Sequence, residues 1–265
     1  MGAVGKALCR PGTYLGHARE AIDIARAVAH YPAGLLDAAI RCGDATGDVC
    51  HDTPVVLVHG YGHNRSGWFV VERALRTAGF SRITSLNYNP LRHGVPEIAE
   101  QLKAHVDLVR SVTGAERVHV IGHSLGGLVL RWYVQELGGD ATVATAVTVA
   151  SPHHGTVAAM LVRPLGETAK QLLPGSPVIE RLQRGARSTS VRWVSYYSNI
   201  DLLVQPSRSA VLEDAENVLI KDHGHLSILL SGRMAASVVE QLEAWSPAPA
   251  AAAPSHVGGP ARAAR

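Results

Sequence analysis

From Thr53 onward the chain alternates short β-branched runs with longer stretches at helical spacing, and this alternation limits its fold more than any other feature. Strands joined by crossover helices pair in parallel. Such a sheet is covered on both faces, so its strands read as nearly continuous apolar runs. Six runs fit: PVVLVHG, ITSLNY, VHVIG, TAVTVAS, RWVSYY and NVLIK. Helices are expected over residues 66–78, 95–112, 125–136 and 234–245. The expected class is α/β, a mostly parallel sheet flanked by helices. Residues 155–190 break the alternation with three prolines and several glycines between two strands, which marks an excursion that serves as a cap or lid.

The flanks read differently. Residues 1–50 suggest an N-terminal helical extension, with apolar positions at helical spacing from Ala18 to Ile40, broken at Pro32 and Gly34. Glu20 falls on its mixed-charge polar face, which favours docking onto the main domain over residues 51–245. Residues 246–265 are an Ala/Pro stretch with too little apolar bulk to pack, and read as a disordered tail. A net charge of +3 in 265 residues offers no concentrated basic field, so no nucleic-acid partner is expected. No apolar run is long enough to span a membrane. Cys9, Cys42 and Cys50 give neither a disulfide framework nor a zinc motif, although Cys42 and Cys50 could close one short loop. The first residues lack the apolar stretch of a secretory signal, which points to the cytoplasm.

The chemistry concentrates around VHVIGHSLGGLVL. Gly122, His123, Ser124, Leu125 and Gly126 make a G-x-S-x-G pattern, which is weak alone but here sits where a strand ends and a helix begins. Small residues around Ser124 permit a strained turn that lifts its hydroxyl toward a substrate. A serine hydroxyl needs a base in hydrogen-bond reach, and that base needs an orienting group. Fourteen histidines compete. The chain order serine, acid, histidine favours His225, after a late strand and ahead of the apolar Leu226, Ile228, Leu229 and Leu230, with His223 as its rival. Asp201 directly follows the strand RWVSYY and is the favoured acid over Asp140, Asp214 and Asp222. The backbone amides of Tyr61, in HGYGHN, and of Leu125, after the serine, are the candidate oxyanion donors. His59, His63 and Asn64 could brace the first of these loops.

In this order PVVLVHGYG, VIGHSLGG, VASPHHGT, SNIDLLVQP and HGHLSILL resemble the α/β-hydrolase superfamily, and within it the small bacterial lipases and esterases of the triacylglycerol lipase type. The resemblance implies Ser124, Asp201 and His225 as nucleophile, acid and base, with Tyr61 and Leu125 at the oxyanion. It makes SPHHGT a structural turn and gives His153 and His154 no catalytic work. It also implies a serine carboxylic-ester hydrolase acting through an acyl-enzyme on lipid or acyl esters, with transient contact with a lipid interface. That chemistry requires no cofactor, and no paired cysteines or carboxylate cluster completes a metal site beside His223 and His225 or His153 and His154. An acyltransferase or thioesterase using the same triad, or a non-catalytic lipid-binding module, stays open as an alternative. Secretion, as in related lipases, competes with the cytoplasmic reading, and the oligomeric state stays open.

Overall fold

The computed structural model describes residues 51–162, 164, 166–185 and 190–245, preceded by Gly16, Glu20, Ile22, Asp23, Pro32, Arg41 and Cys42. Most of the expected N-terminal helical extension, Cys9, Cys50 and the expected tail lie outside the described residues. Strands β1 (Arg41–Cys42), β2 (Val55–Val58), β3 (Arg82–Leu86), β4 (Val118–His123), β5 (Val143–Val149), β6 (Arg192–Tyr197) and β7 (Glu216–Leu219) form a sheet in the order β1-β3-β2-β4-β5-β6-β7. Every neighbouring pair is parallel except β1 with β3. The sheet thus draws one antiparallel edge strand from the first 50 residues, where only helix was expected.

Successive strand residues point to opposite faces. In β2, Val56 and Val58 enter one core and Val55 and Leu57 the other, and all four are fully buried. One core packs beneath α2 (Val95–Thr113) and α3 (Leu125–Glu136), through Ile98, Leu102, Leu125 and Leu128. The second lies under α1 (Phe69–Thr77) and α7 (Gly232–Glu243), through Val71, Leu75, Met234 and Val238. At about 1.5–3 kcal/mol per fully buried aliphatic side chain, these two layers dominate the stability of the sheet. The four expected helices match these, with α1 entered through a 3-10 turn, Arg65–Trp68, capped by Asn64.

The excursion after β5 folds into three short helices, α4 (Ala159–Val162), α5 (Glu167–Gln171) and α6 (Pro177–Arg184). Its apolar residues divide. Leu172, Val178, Ile179 and Leu182 are buried in the first core, whereas Met160 and Leu161 are exposed. The α6 segment is tied down by Arg131 of α3, a buried arginine that donates to the carbonyls of Leu182 (2.9 Å) and His153 (3.2 Å). Leu182 lies in the last turn of α6, where a cation meets the negative end of the helix dipole.

Candidate active site

Strand β4 enters α3 through Ser124 at φ 52°, ψ −117°, a conformation an L-residue holds only when its surroundings force it. The Ser124 amide donates to Val149 of β5 (2.8 Å), and its carbonyl accepts from Gly127 (3.0 Å). Close approach explains the glycines on either side. A Cβ on Gly122 would lie 2.5 Å from the Gly126 carbonyl, and one on Gly126 would collide with the carbonyls of Val58 and His59. Ser124 is 9% exposed. Among the described residues its hydroxyl makes no hydrogen bond of its own, so it remains available to an incoming base or substrate.

Asp201 and His225 come from the loops that follow β6 and β7. The His225 Nδ1–H donates to Asp201 Oδ2 at 2.8 Å, with side-chain exposures of 6% and 2%. The other carboxylate oxygen, Oδ1, accepts the amides of Leu203 (2.8 Å) and Val204 (2.9 Å), which fixes the carboxylate plane. The two loops are joined where the Ser198 hydroxyl donates to the His223 carbonyl. The His225 loop is held to the serine turn by the preceding residue, His123, whose Nε2–H donates to the His225 carbonyl (3.1 Å) and whose ring lies 4.8 Å from that of His225. As expected for an anchor, Ile228 and Leu229 are buried in the second core.

On the other side of the serine, Gly60 approaches so closely that a Cβ there would lie 3.1 Å from Ser124 Cβ. The next amide along is that of Tyr61. His59 braces this loop through an Nδ1–H bond to the Gly60 carbonyl (2.9 Å), and its ring stacks on Tyr88 at 4.1 Å. Tyr88 returns its hydroxyl to the His59 carbonyl at 2.5 Å. Leu125 occupies the first position of α3, where backbone amides have no intrahelical acceptor and the helix dipole favours negative charge.

Four imidazoles crowd this region, and their environments sort them. Burial pushes His59 down to about 4. Burial, then repulsion from His225, holds His123 far below its usual range, and His63 is likewise lowered, mainly by burial. His225 moves the other way. Burial is the largest single influence on it and acts downward, but the Asp201 charge, the Asp201 hydrogen bond and the Glu20 charge together raise it. A proton entering the cluster therefore resides on His225.

This geometry can be set beside known proteins. A family model described as palmitoyl protein thioesterase matches residues 54–216, more than half of the chain. The chain belongs to that family. Ser124 and Asp201 fall inside the matched stretch and His225 beyond it. The chain is also 33% identical over 122 residues to a triacylglycerol lipase of Pseudarthrobacter phenanthrenivorans, covering 43% of this chain and 38% of that protein. A triacylglycerol lipase of Vibrio cholerae is 30% identical over 147 residues, 46% of this chain and 40% of that one. The chain thus spans about two fifths of the length of these curated relatives. Among solved structures, Aspergillus fumigatus lipase B superposes with a TM-score of 0.64 at 21% identity, over 74% of this chain and 53% of that one. The mature Bacillus licheniformis lipase BlEst2 does so with 0.61 at 17%, over 72% and 91%. The fold of this thioesterase-family chain is the α/β-hydrolase fold.

The remaining candidates lie elsewhere. His223 donates through Nδ1 to the Lys221 carbonyl (2.8 Å) on its own loop. Asp214 is exposed beyond β6, and Asp222 sits in a turn at φ 59° whose amide bonds Asn199 (2.9 Å). The Asp140 carbonyl accepts from Arg117 and Ser190 at the far end of the sheet. His153 is buried in a hydroxyl network, with Nε2 3.0 Å from Thr148 Oγ1 and 3.5 Å from Ser195 Oγ. Among the described residues no group of three or more His, Cys, Asp or Glu is arranged to hold a metal ion, and no helix is long and apolar enough to cross a membrane. Sequence reasoning placed Glu20 on a polar docking face but not at this site, because it lies 206 positions from the loop it touches and its partners there are backbone amides.

Proposed function

We propose that this chain is a serine hydrolase that cleaves long-chain acyl esters through an acyl-enzyme. The observation that carries the proposal is the buried His225–Asp201 pair, held by His123 against the strained Ser124 turn. In this reading the Ser124 hydroxyl attacks the acyl carbonyl as its proton passes to His225 Nε2. Asp201 holds the ring in the tautomer that presents that nitrogen and stabilises the imidazolium. The tetrahedral oxyanion is received by the Tyr61 and Leu125 amides. His225 then protonates the leaving group, and water attacks the acyl-enzyme by the same route in reverse.

The surroundings support an apolar acyl group. Leu91, Met160, Leu161, Leu202 and Leu203 are exposed on loops and helices that follow β3, β5 and β6, at the same carboxyl edge of the parallel strands where Ser124 follows β4 and Asp201 follows β6. Apolar side chains gathered on the rim of a site mark contact with an apolar ligand or lipid interface. Membership of the palmitoyl protein thioesterase family favours a second reading, in which the scissile bond is a thioester. A series of p-nitrophenyl esters from acetate to palmitate, run beside palmitoyl-CoA and with Ser124→Ala as control, tests both. We expect kcat/KM to rise with chain length and to vanish in the variant, and the ratio of thioester to ester turnover assigns the leaving group. A flat chain-length profile would contradict the acyl-chain assignment, and undiminished turnover by Ser124→Ala would contradict the mechanism.

A further inference from the structure

Four of the described residues that precede the sheet, Gly16, Glu20, Ile22 and Asp23, are helical, and three of them face the loops carrying the acid and the base. Gly16 packs so tightly against Ile200, beside Asp201, and against the Asp222 carbonyl that a Cβ would collide with the Ile200 side chain. Asp23 is buried and shares a small cavity with His63, Leu226 and Leu229. Glu20 lies between them. Its Oε1 accepts the Leu226 amide at 2.8 Å and its Oε2 accepts the Ser227 amide at 2.8 Å. These amides open the 3-10 turn Ser227–Leu230, directly after His225. The carboxylate also presses on Gly224, where any Cβ would strike it. Both oxygens are thus engaged by the two residues that follow the candidate base, and the same carboxylate packs against the glycine before it.

We propose that Glu20 is a positioning residue for His225, its carboxylate fixing the turn that aims the imidazole between Asp201 and Ser124. A charged acceptor for two amides is stronger than a neutral one, and a bidentate arrangement fixes orientation as well as distance. The segment that carries Glu20 lies outside the stretch matched by the family model, as do Leu226 and Ser227. The inference rests on the reading of His225 as the general base.

Glu20 also acts through its charge. The groups that face His225 are Asp201 on the β6 loop, Glu20 before the sheet, His123 on β4 and His63 after β2; Asp222 and His223 on its own loop are bonded to Asn199 and to the Lys221 carbonyl instead. Of these, Asp201 and then Glu20 raise the imidazole against the downward pull of burial. Removing the Glu20 charge therefore lowers the pH at which His225 loses its proton. Since only the neutral ring can accept the serine proton, the acid limb of kcat/KM moves to lower pH with it.

The test compares Glu20→Gln and Glu20→Ala with the wild type in two readouts, the NMR titration of the His225 imidazole, assigned by its loss in His225→Gln, and the pH profile of p-nitrophenyl ester hydrolysis. Glu20→Gln is isosteric and keeps one carbonyl acceptor, so it removes the charge and one amide bond without opening a cavity. It is expected to lower the His225 titration point and shift the acid limb by the same amount, with kcat reduced less than in Glu20→Ala. Glu20→Ala, which frees the turn, is expected to lower kcat by about 10²-fold with KM nearly unchanged, as a displaced catalytic group does. An unmoved His225 titration in Glu20→Gln would overturn the role of Glu20 while leaving the base assignment intact. A moved titration with an unmoved pH profile would overturn the assignment of His225 as base, and this proposal with it.

Discussion

Ser195 with His153 and the proposed Ser124 with His225 differ in how their hydrogen bonds are committed, and the difference decides which of them the proposed mechanism can use. Ser195 and His153 approach to 3.5 Å, but both are fully buried, and the Ser195 hydroxyl donates to the Ala210 carbonyl (2.7 Å) while accepting from Thr148 (3.0 Å). The His153 carbonyl is occupied as well, by Arg131 and Gln183. These contacts tie β5 and β6 to the turn after β5, to the loop after β6 and to two flanking helices. At Ser124 and His225 the commitments are reversed. The imidazole is bonded to a carboxylate on one nitrogen only, and the hydroxyl on the strained turn is left to a substrate. Among the described residues the direct serine–histidine contact belongs to Ser195 and His153, whereas the hydroxyl not committed to another protein group belongs to Ser124.

Removing the hydroxyls gives the largest contrast. Ser124→Ala should lower kcat for ester hydrolysis by about 10⁴-fold or more, as loss of the nucleophile does in serine hydrolases. Ser195→Ala should leave kcat within a few-fold and instead lower unfolding stability by about 1–3 kcal/mol, because the Ala210 carbonyl loses its buried donor. Steady-state kinetics beside denaturant unfolding checks both, and equal kinetic losses would erase the distinction.

The imidazole partners sharpen it next. Asp201→Asn should lower kcat by about 10⁴-fold at nearly constant KM, since an amide can favour the wrong tautomer of His225. His153→Gln should act on the melting transition and not on kcat. A variant at Asp201 with wild-type kcat would show that the carboxylate orients nothing in the reaction.

The pH dependence is the gentlest probe. Burial alone would take His225 below its usual 6.5, but Asp201 and Glu20 reverse the sign, so the acid limb of kcat/KM should centre above 6.5. A limb centred well below that value would mean that burial wins and that the carboxylates are poorly placed.

Legibility from the sequence follows the same division. The central strands β2, β4 and β5 could be read because burial on both faces imposes unbroken apolar runs, and Ser124 could be read because close backbone contacts keep positions 122 and 126 as glycine. Two-residue β1 carries no pattern to read. The inward course of Arg131 and the clamp formed by Glu20 were also hidden, since each side chain is recognised by backbone groups that any sequence would supply. His225 and Asp201 were placed by chain order after strands, and their hydrogen bond could come only from coordinates.

The most direct test of the central claim is covalent labelling with a fluorophosphonate probe, followed by intact mass and peptide mapping. The account predicts one adduct, on Ser124, lost in Ser124→Ala and strongly slowed in His225→Gln. An adduct on Ser195 or any other residue, or undiminished labelling of Ser124→Ala, would contradict it.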